Sequence, residues 1–238
     1  MKHSPVSILS AVARWLFILC LPLMLLTAGI AVAFNYSWLY QYGFNKHDVG
    51  LTTGLEEDQL EKAADGLIGY FNSDEENISL TVIKDGQSFE LFNEREVAHL
   101  QDVKGLFRLD YRVLVGTLSY ILIYTGIYFF YRKKEYRPAL AKAILYGSAL
   151  TLIILLAIGL GALFDFDNLF WQFHVISFDN DFWLLNPATD YLIMLFPQGF
   201  WYDATIFCAL VTTVSAIILG TTSWLYLRKR GCSFRGEG

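Results

Sequence analysis

The stretch FDFDNLFWQFHVISFDNDFWLLNPATDYLIMLFPQGFWYD, residues 164–203, decides how the chain is organised, because it fits neither a solvated loop nor a membrane span. It carries six Asp, no Lys or Arg, and a single histidine, His174, among crowded Phe, Trp and Tyr. Amphipathic rings of this kind settle where lipid headgroups meet water. An ionisable imidazole at that depth is well placed for chemistry on a lipid.

On either side of this stretch the chain turns apolar. Of 238 residues, 55% are hydrophobic and the mean hydropathy is +0.40, too apolar for an ordinary soluble domain. Four runs contain no charged residue and reach the ~20 residues needed to cross a hydrocarbon core of about 30 Å: 15–34, 113–131, 143–163 and 204–227. The chain is therefore expected to be an α-helical integral membrane protein with four transmembrane helices. Its expected divisions are 1–34, the N-terminus and first span; 35–112, an extracytoplasmic α+β segment; 113–163, spans two and three with their connection; 164–203, an interfacial loop; and 204–238, the last span and tail.

The cations set the expected orientation, since Lys and Arg near span ends stay on the cytoplasmic side. Five lie between Arg132 and Lys142, and Arg228, Lys229, Arg230 and Arg235 follow the last span. Both termini are thus expected in the cytoplasm, with 35–112 and 164–203 outside. The first of these segments holds fifteen acids against seven bases, which argues against nucleic acid as a partner. Lys2 and Arg14 before an apolar run could mimic a secretory signal, but the run is long enough to be an uncleaved span. Cys20, Cys208 and Cys232 form no CxxC and avoid both external segments, so neither a disulfide framework nor a thiol redox site is expected.

Within 35–112, the residues to Tyr42 resemble an interfacial exit. Thr53 and Glu56 have capping-box spacing, and Leu60, Ala63, Ala64, Leu67, Ile68 and Phe71 share one helical face. Alternation from Ile78 to Lys84, the pair Asp85-Gly86, and Phe89 with Leu91 predict a β-hairpin. Asn93 and Glu96 predict a second capped helix. The expected cap is two helices and a hairpin. In the third span, Gly147, Gly159 and Gly161 leave room for a close neighbour.

Candidate chemistry rests on histidines, whose free pKa of about 6.5 suits proton exchange near neutrality. His3 is expected to be idle, and His47 sits in a polar stretch with no functional signal. On the predicted helix, Glu96 and Asp102 lie one turn either side of His99. From spacing alone, a solvated helix residue with ordinary ion pairs is the favoured reading of His99. For His174, an interfacial ring bonded to Asp179 or Asp181 stands level with a functional role. If the two rings meet, one could take a proton while the other gives one or holds an oxyanion. Asp181 and Asp190 are the candidate orienters, and Asn180, Asn186 and Lys104 the candidate oxyanion or headgroup contacts. A metal site of two His and Asp lacks any HExxH or His-x-His spacing, and no metal or cofactor is expected. Ser79, Ser88 and Ser177 are external, but none sits in a GxSxG elbow.

Two segments carry a family resemblance. EREVAHLQDVK (94–104), followed by Phe173-His174, Asp179 to Trp183, Asn186-Pro187, Asp190 and Leu195 to Pro197, resembles the bacterial lipoprotein intramolecular transacylase (Lit) family. The H-x-x-D-V-K element is the more specific part, with Leu100 where the family pattern has Met. The resemblance implies a membrane acyltransferase that moves the sn-2 acyl chain of a diacylglyceryl-modified N-terminal cysteine onto that cysteine's own amino group, giving the lyso form. It further implies His99 and His174 as the catalytic pair, a diacylated lipoprotein and membrane lipid as partners, and a site at the outer face of the bacterial cytoplasmic membrane; separately, a monomer is expected. Two other readings remain open at this point. One is a non-enzymatic membrane subunit that binds a partner through its acidic domain; the other is a metal-dependent lipid hydrolase.

Overall fold

A computed structural model describes residues 5–131 and 137–235, with side chains for 8–130 and 137–230. His3, residues 132–136 of the basic connection, and the side chains of Cys232 and Arg235 lie outside the described residues. In chain order the elements are α1 (Pro5–Asn35), α2 (Ser37–Lys46), α3 (Val49–Thr53), α4 (Glu57–Phe71), β1 (Thr81–Lys84), β2 (Gln87–Glu90), α5 (Glu94–Gly126), α6 (Arg137–Ser177), α7 (Tyr191–Leu195) and α8 (Gln198–Arg235). A π-helical turn, Ile127–Tyr131, prolongs α5. Among the described residues, four helices are long and apolar enough to cross a membrane, namely α1, α5, α6 and α8. They carry the four uncharged runs and extend beyond them, because a backbone in hydrocarbon must satisfy its own hydrogen bonds and a helix does so within one segment.

The chain divides into two compact units. The first comprises 1–29, 111–160 and 209–238, and holds most of the uncharged helix. Its core gathers Phe17, Ile18, Leu21 and Leu25 of α1, Tyr124 and Tyr128 of α5 with its π turn, and Ala143 and Ala216. Tyr120 donates its hydroxyl to the Ala13 carbonyl at 2.8 Å, which satisfies a polar tip among apolar side chains. The close approach anticipated for three glycines belongs to Gly147 alone. A Cβ there would lie 2.8 Å from Leu21 Cδ2, whereas Gly159 and Gly161 face open space within 4 Å.

The second unit, 30–110 and 161–208, is the α+β cap. Helix α4 buries Leu60, Ala63, Ala64, Leu67 and Phe71, the face its periodicity marked out. The hairpin pairs Val82 with Phe89 and Lys84 with Gln87, and its turn residues Asp85 and Gly86 both take positive φ, 51° and 75°. Asp-Gly tolerates that geometry, whose twist matches the strands. The Ile83 amide donates to Gln59 Oε1 of α4 at 2.9 Å, so the two-stranded sheet is braced by a helix.

Two local expectations are corrected and one is made specific. Thr53 does not cap α4: its hydroxyl donates back to the Val49 carbonyl at 2.7 Å, and α4 starts at Glu57 with no side-chain cap on Glu56. The stretch 35–42, expected as an interfacial exit with no secondary structure assigned, runs into helix α2, which buries Leu39, Tyr40 and Phe44. The first third of 164–203 is not loop. Helix α6 kinks at Asp165 (φ −160°, ψ 82°) and then runs on through His174 to Ser177. The broken turn redirects the helix, so 166–177 carries its aromatic residues on helical rather than irregular backbone.

Candidate active site

Helix α5 starts where Asn93 and Glu96 close the anticipated capping box. The Glu96 and Arg95 amides donate to Asn93 Oδ1 at 3.1 and 3.0 Å, and the Asn93 amide returns a bond to Glu96 Oε2 at 2.8 Å. Glu96 does more than cap. Its other oxygen accepts the Leu192 amide at 2.6 Å, tying the start of α5 to α7 from a position only 1% exposed. Burial raises this carboxyl above its usual range, opposed by the Leu192 and Asn93 amides.

One turn on stands His99, 7% exposed. The 33 residues of α5 span about 50 Å at 1.5 Å each, so its charged first half, His99 included, lies outside the uncharged stretch from Val113 that suits lipid. The second ring, His174, comes from the post-kink part of α6. The two imidazole centroids are 6.2 Å apart with planes inclined at 31°. Two rings 75 residues apart in sequence therefore share one site. Phe178 packs edge-on to His99 at 5.0 Å, and Phe170 and Trp183 bracket His174 at 4.5 and 4.9 Å.

The hydrogen bonds of the two rings are unlike. His174 Nδ1 lies 2.7 Å from the Phe170 carbonyl, which can only accept, so Nδ1 carries the proton and Nε2 keeps the lone pair of the neutral ring. His99 Nδ1 is buried without a hydrogen-bond partner among the described residues. Burial, reinforced by nearby His174 and opposed by Asp102, pushes His99 down to about 4. His174 is also lowered by burial, against the pull of the Phe170 carbonyl. Burial favours the neutral form of both rings, and the unbonded His99 Nδ1 is shut off from solvent.

Both histidines line a cavity of about 410 Å³, walled mainly by aromatic and aliphatic side chains such as Phe107, Phe170, Trp183, Leu185, Ile193 and Trp201. That volume and lining suit a lipid or a similarly apolar ligand.

The supporting residues expected from sequence fall elsewhere. Neither carboxylate beside His99 bonds it: Glu96 is turned to the backbone, and Asp102 Oδ2 accepts from Asn180 Nδ2 at 2.8 Å. Neither Asp179 nor Asp181 holds His174, whose hydrogen bond is to a carbonyl. The Asp181 carbonyl accepts from Arg95. Asp190 is buried and accepts the Asn186 amide at 2.7 Å and Asn93 Nδ2 at 3.1 Å, while Asn186 Oδ1 takes the Ala188 amide. Lys104 donates to Ser73 Oγ and the Glu75 carbonyl at 3.1 and 2.6 Å with the Tyr70 ring 4.0 Å beneath it. These polar residues fasten the 178–190 segment and the 73–76 turn, and their hydrogen bonds go to those segments rather than to the imidazoles. His47 Nε2 lies 3.0 Å from Asp203 Oδ2, and Lys46 donates to Oδ1 of the same carboxylate at 2.7 Å. Among the described residues, no group of three His, Cys, Asp or Glu side chains could hold a metal ion.

Sequence reasoning missed Asp167, Gln198, Phe170, Trp183 and Trp201, all on the cavity wall. Asp167, Phe170, Trp171 and His174 follow i, i+3, i+4, i+7 spacing, a helical signal hidden because the stretch was read as loop.

The profile of the lipoprotein intramolecular transacylase Lit family matches residues 15–201. An uncharacterized protein of Aquifex aeolicus is 27% identical over 183 residues, covering 75% of this chain and 79% of that one. The in meso structure of the membrane integral lipoprotein intramolecular transacylase Lit from Bacillus cereus is similar with a TM-score of 0.79 at 21% identity, over 94% of this chain and 98% of that one. A variant of the same protein with a histidine replaced by arginine gives 0.75 at 20%, over 94% and 95%. At such identity the likeness is one of fold.

Proposed function

The chain belongs to the lipoprotein intramolecular transacylase family, and we propose that it moves the sn-2 acyl chain of a diacylglyceryl-cysteine lipoprotein onto that cysteine's own amino group, with His99 and His174 as the catalytic pair. It is a membrane-integral acyltransferase acting on lipoprotein. The observation that carries the assignment of the pair is the 6.2 Å between the two rings inside one apolar cavity.

Donor ester and acceptor amine belong to one substrate, so the protein must bring them together rather than bind a second reactant. The ammonium gives one proton to His174 Nε2, the lone pair that the Phe170 carbonyl leaves facing away from itself. The amine then attacks the ester carbonyl, forming the C–N bond. His99, held neutral by burial, offers an N–H to the oxygen that becomes negative. As the C–O bond breaks, the glyceryl alkoxide takes a proton from the imidazolium, and the nitrogen gives its second proton to the regenerated neutral His174, which releases it to solvent as the amide forms. Acid–base work of this kind supplies ~10²–10⁴-fold. The aromatic wall limits water, whose attack on the same ester would give hydrolysis.

The charge of the connection after Tyr131 and of the tail supports cytoplasmic termini and a site at the outer leaflet. The substrate is then a diacylated lipoprotein whose tails stay in lipid while its polypeptide extends outward, met by a single copy of this chain. The test is expression with a model lipoprotein and mass spectrometry of its N-terminal lipopeptide. Wild type should yield the lyso form, and His99→Ala and His174→Ala should each cut it by about 10²-fold or more. Undiminished lyso product at equal expression would show that the histidines are misassigned.

A further inference from the structure

The cavity wall contains one charge that acid–base chemistry leaves unused. Asp167 lines it together with His99 and His174, and no Lys or Arg does so. Among the described lining residues Asp167 is the one Asp, Glu, Lys or Arg, and it stands exposed rather than buried in the apolar wall. It sits on the face of the post-kink helix that presents Phe170, Trp171 and His174, about 10.5 Å along the axis from His174. Gln198 Nε2, at the first turn of α8, donates to its Oδ1 and so orients the carboxylate.

An α-amino group has a pKa of about 7.7–8.0 and reaches the site mostly as an ammonium. Moving that cation from water to a wall of Phe, Trp and Leu is costly unless a counter-charge awaits it. Neutral imidazoles cannot supply one. We propose that Asp167 is a substrate-binding residue that receives the α-ammonium of the lipid-bearing N-terminal residue before acyl transfer. This rests on the transacylase reading above. The separation from His174 makes it a docking position: the ammonium is caught at Asp167 and gives up its proton on reaching the histidines. After transfer the nitrogen is a neutral amide, one of its two lost protons now being on the glyceryl oxygen and the other in solvent. The attraction to Asp167 has then vanished, which favours product release.

The experiment uses an unreactive substrate mimic, a dialkyl-ether glyceryl-cysteine peptide, with a free or an N-acetylated amino terminus. Binding of both to the full chain in lipid nanodiscs is measured by calorimetry. Wild type should prefer the free amine roughly three- to fivefold, the range of a partly exposed ion pair. The preference should fall to about one in Asp167→Asn. Because it is a ratio of two affinities in one sample, it does not depend on the folded fraction. In wild type alone it should also shrink as salt is raised. An equal preference in both proteins, or one indifferent to salt, overturns the assignment. Conversion of the ester substrate is followed in parallel: no lyso product from wild type sinks the transacylase reading itself, whereas normal conversion with an unaltered amine preference sinks only the role of Asp167.

Discussion

Acidification should unfold this protein partly through one ring. His99 is 7% exposed, and burial takes its pKa from 6.5 down to about 4. For a depressed base the sign is fixed: the folded state resists protonation, so the stabilisation is complete above the unfolded pKa of about 6.5 and is lost as pH falls toward 4. With those two values, linkage gives a loss of about 2 kcal/mol at pH 5 and about 3 kcal/mol below pH 4. The perturbation is His99→Gln, which keeps a polar side chain but cannot titrate. Thermal unfolding of both proteins in the same detergent would be followed from pH 7.5 to 4.5. Carboxylates that titrate in this window do so in both chains and cancel in the difference. Wild type should lose about 4–8 °C more than the variant between pH 7.5 and pH 5, taking 2–4 °C per kcal/mol for a chain of this size. Parallel melting curves at every pH would refute the claim that His99 is buried in its neutral form.

Two further outcomes follow from packing. Glu96→Ala removes a buried acceptor from the Asn93 and Leu192 amides and should cost roughly 3 kcal/mol or more, with Glu96→Gln recovering part of it; unfolding measured on both variants checks this. Gly43→Ala would set a Cβ 2.3 Å from Phe200 Cδ2, on a ring only 1% exposed, and should destabilise by about 1–3 kcal/mol, seen as a lowered Tm with no change in the amine preference at Asp167.

The neighbours of the two histidines teach most about the distance between spacing and structure. Sequence puts Glu96 and Asp102 one turn from His99, and they are there. Yet Glu96 turns to two backbone amides, because an unpaired amide at a helix start competes for a carboxylate as strongly as an imidazole does, and Asp102 accepts from the Asn180 side chain. His174 finds its partner in a carbonyl four residues back, a bond available only once 166–177 is helical.

What the residues determined alone are the properties carried by local composition. Four uncharged runs can only be helices in lipid, Asp85-Gly86 accepts the positive φ of its turn, Asn93 with Glu96 closes a helix start, and the motifs around His99 and His174 point to one family. Each depends on hydropathy, backbone sterics or hydrogen bonds within a few positions. Tertiary structure alone decided that the imidazoles stand 6.2 Å apart, that His99 is dehydrated enough to stay neutral, and that Asp167 shares their cavity. Those facts depend on packing between segments distant in sequence and on the break at Asp165, and neither burial nor a kink's direction is written in the spacing of side chains.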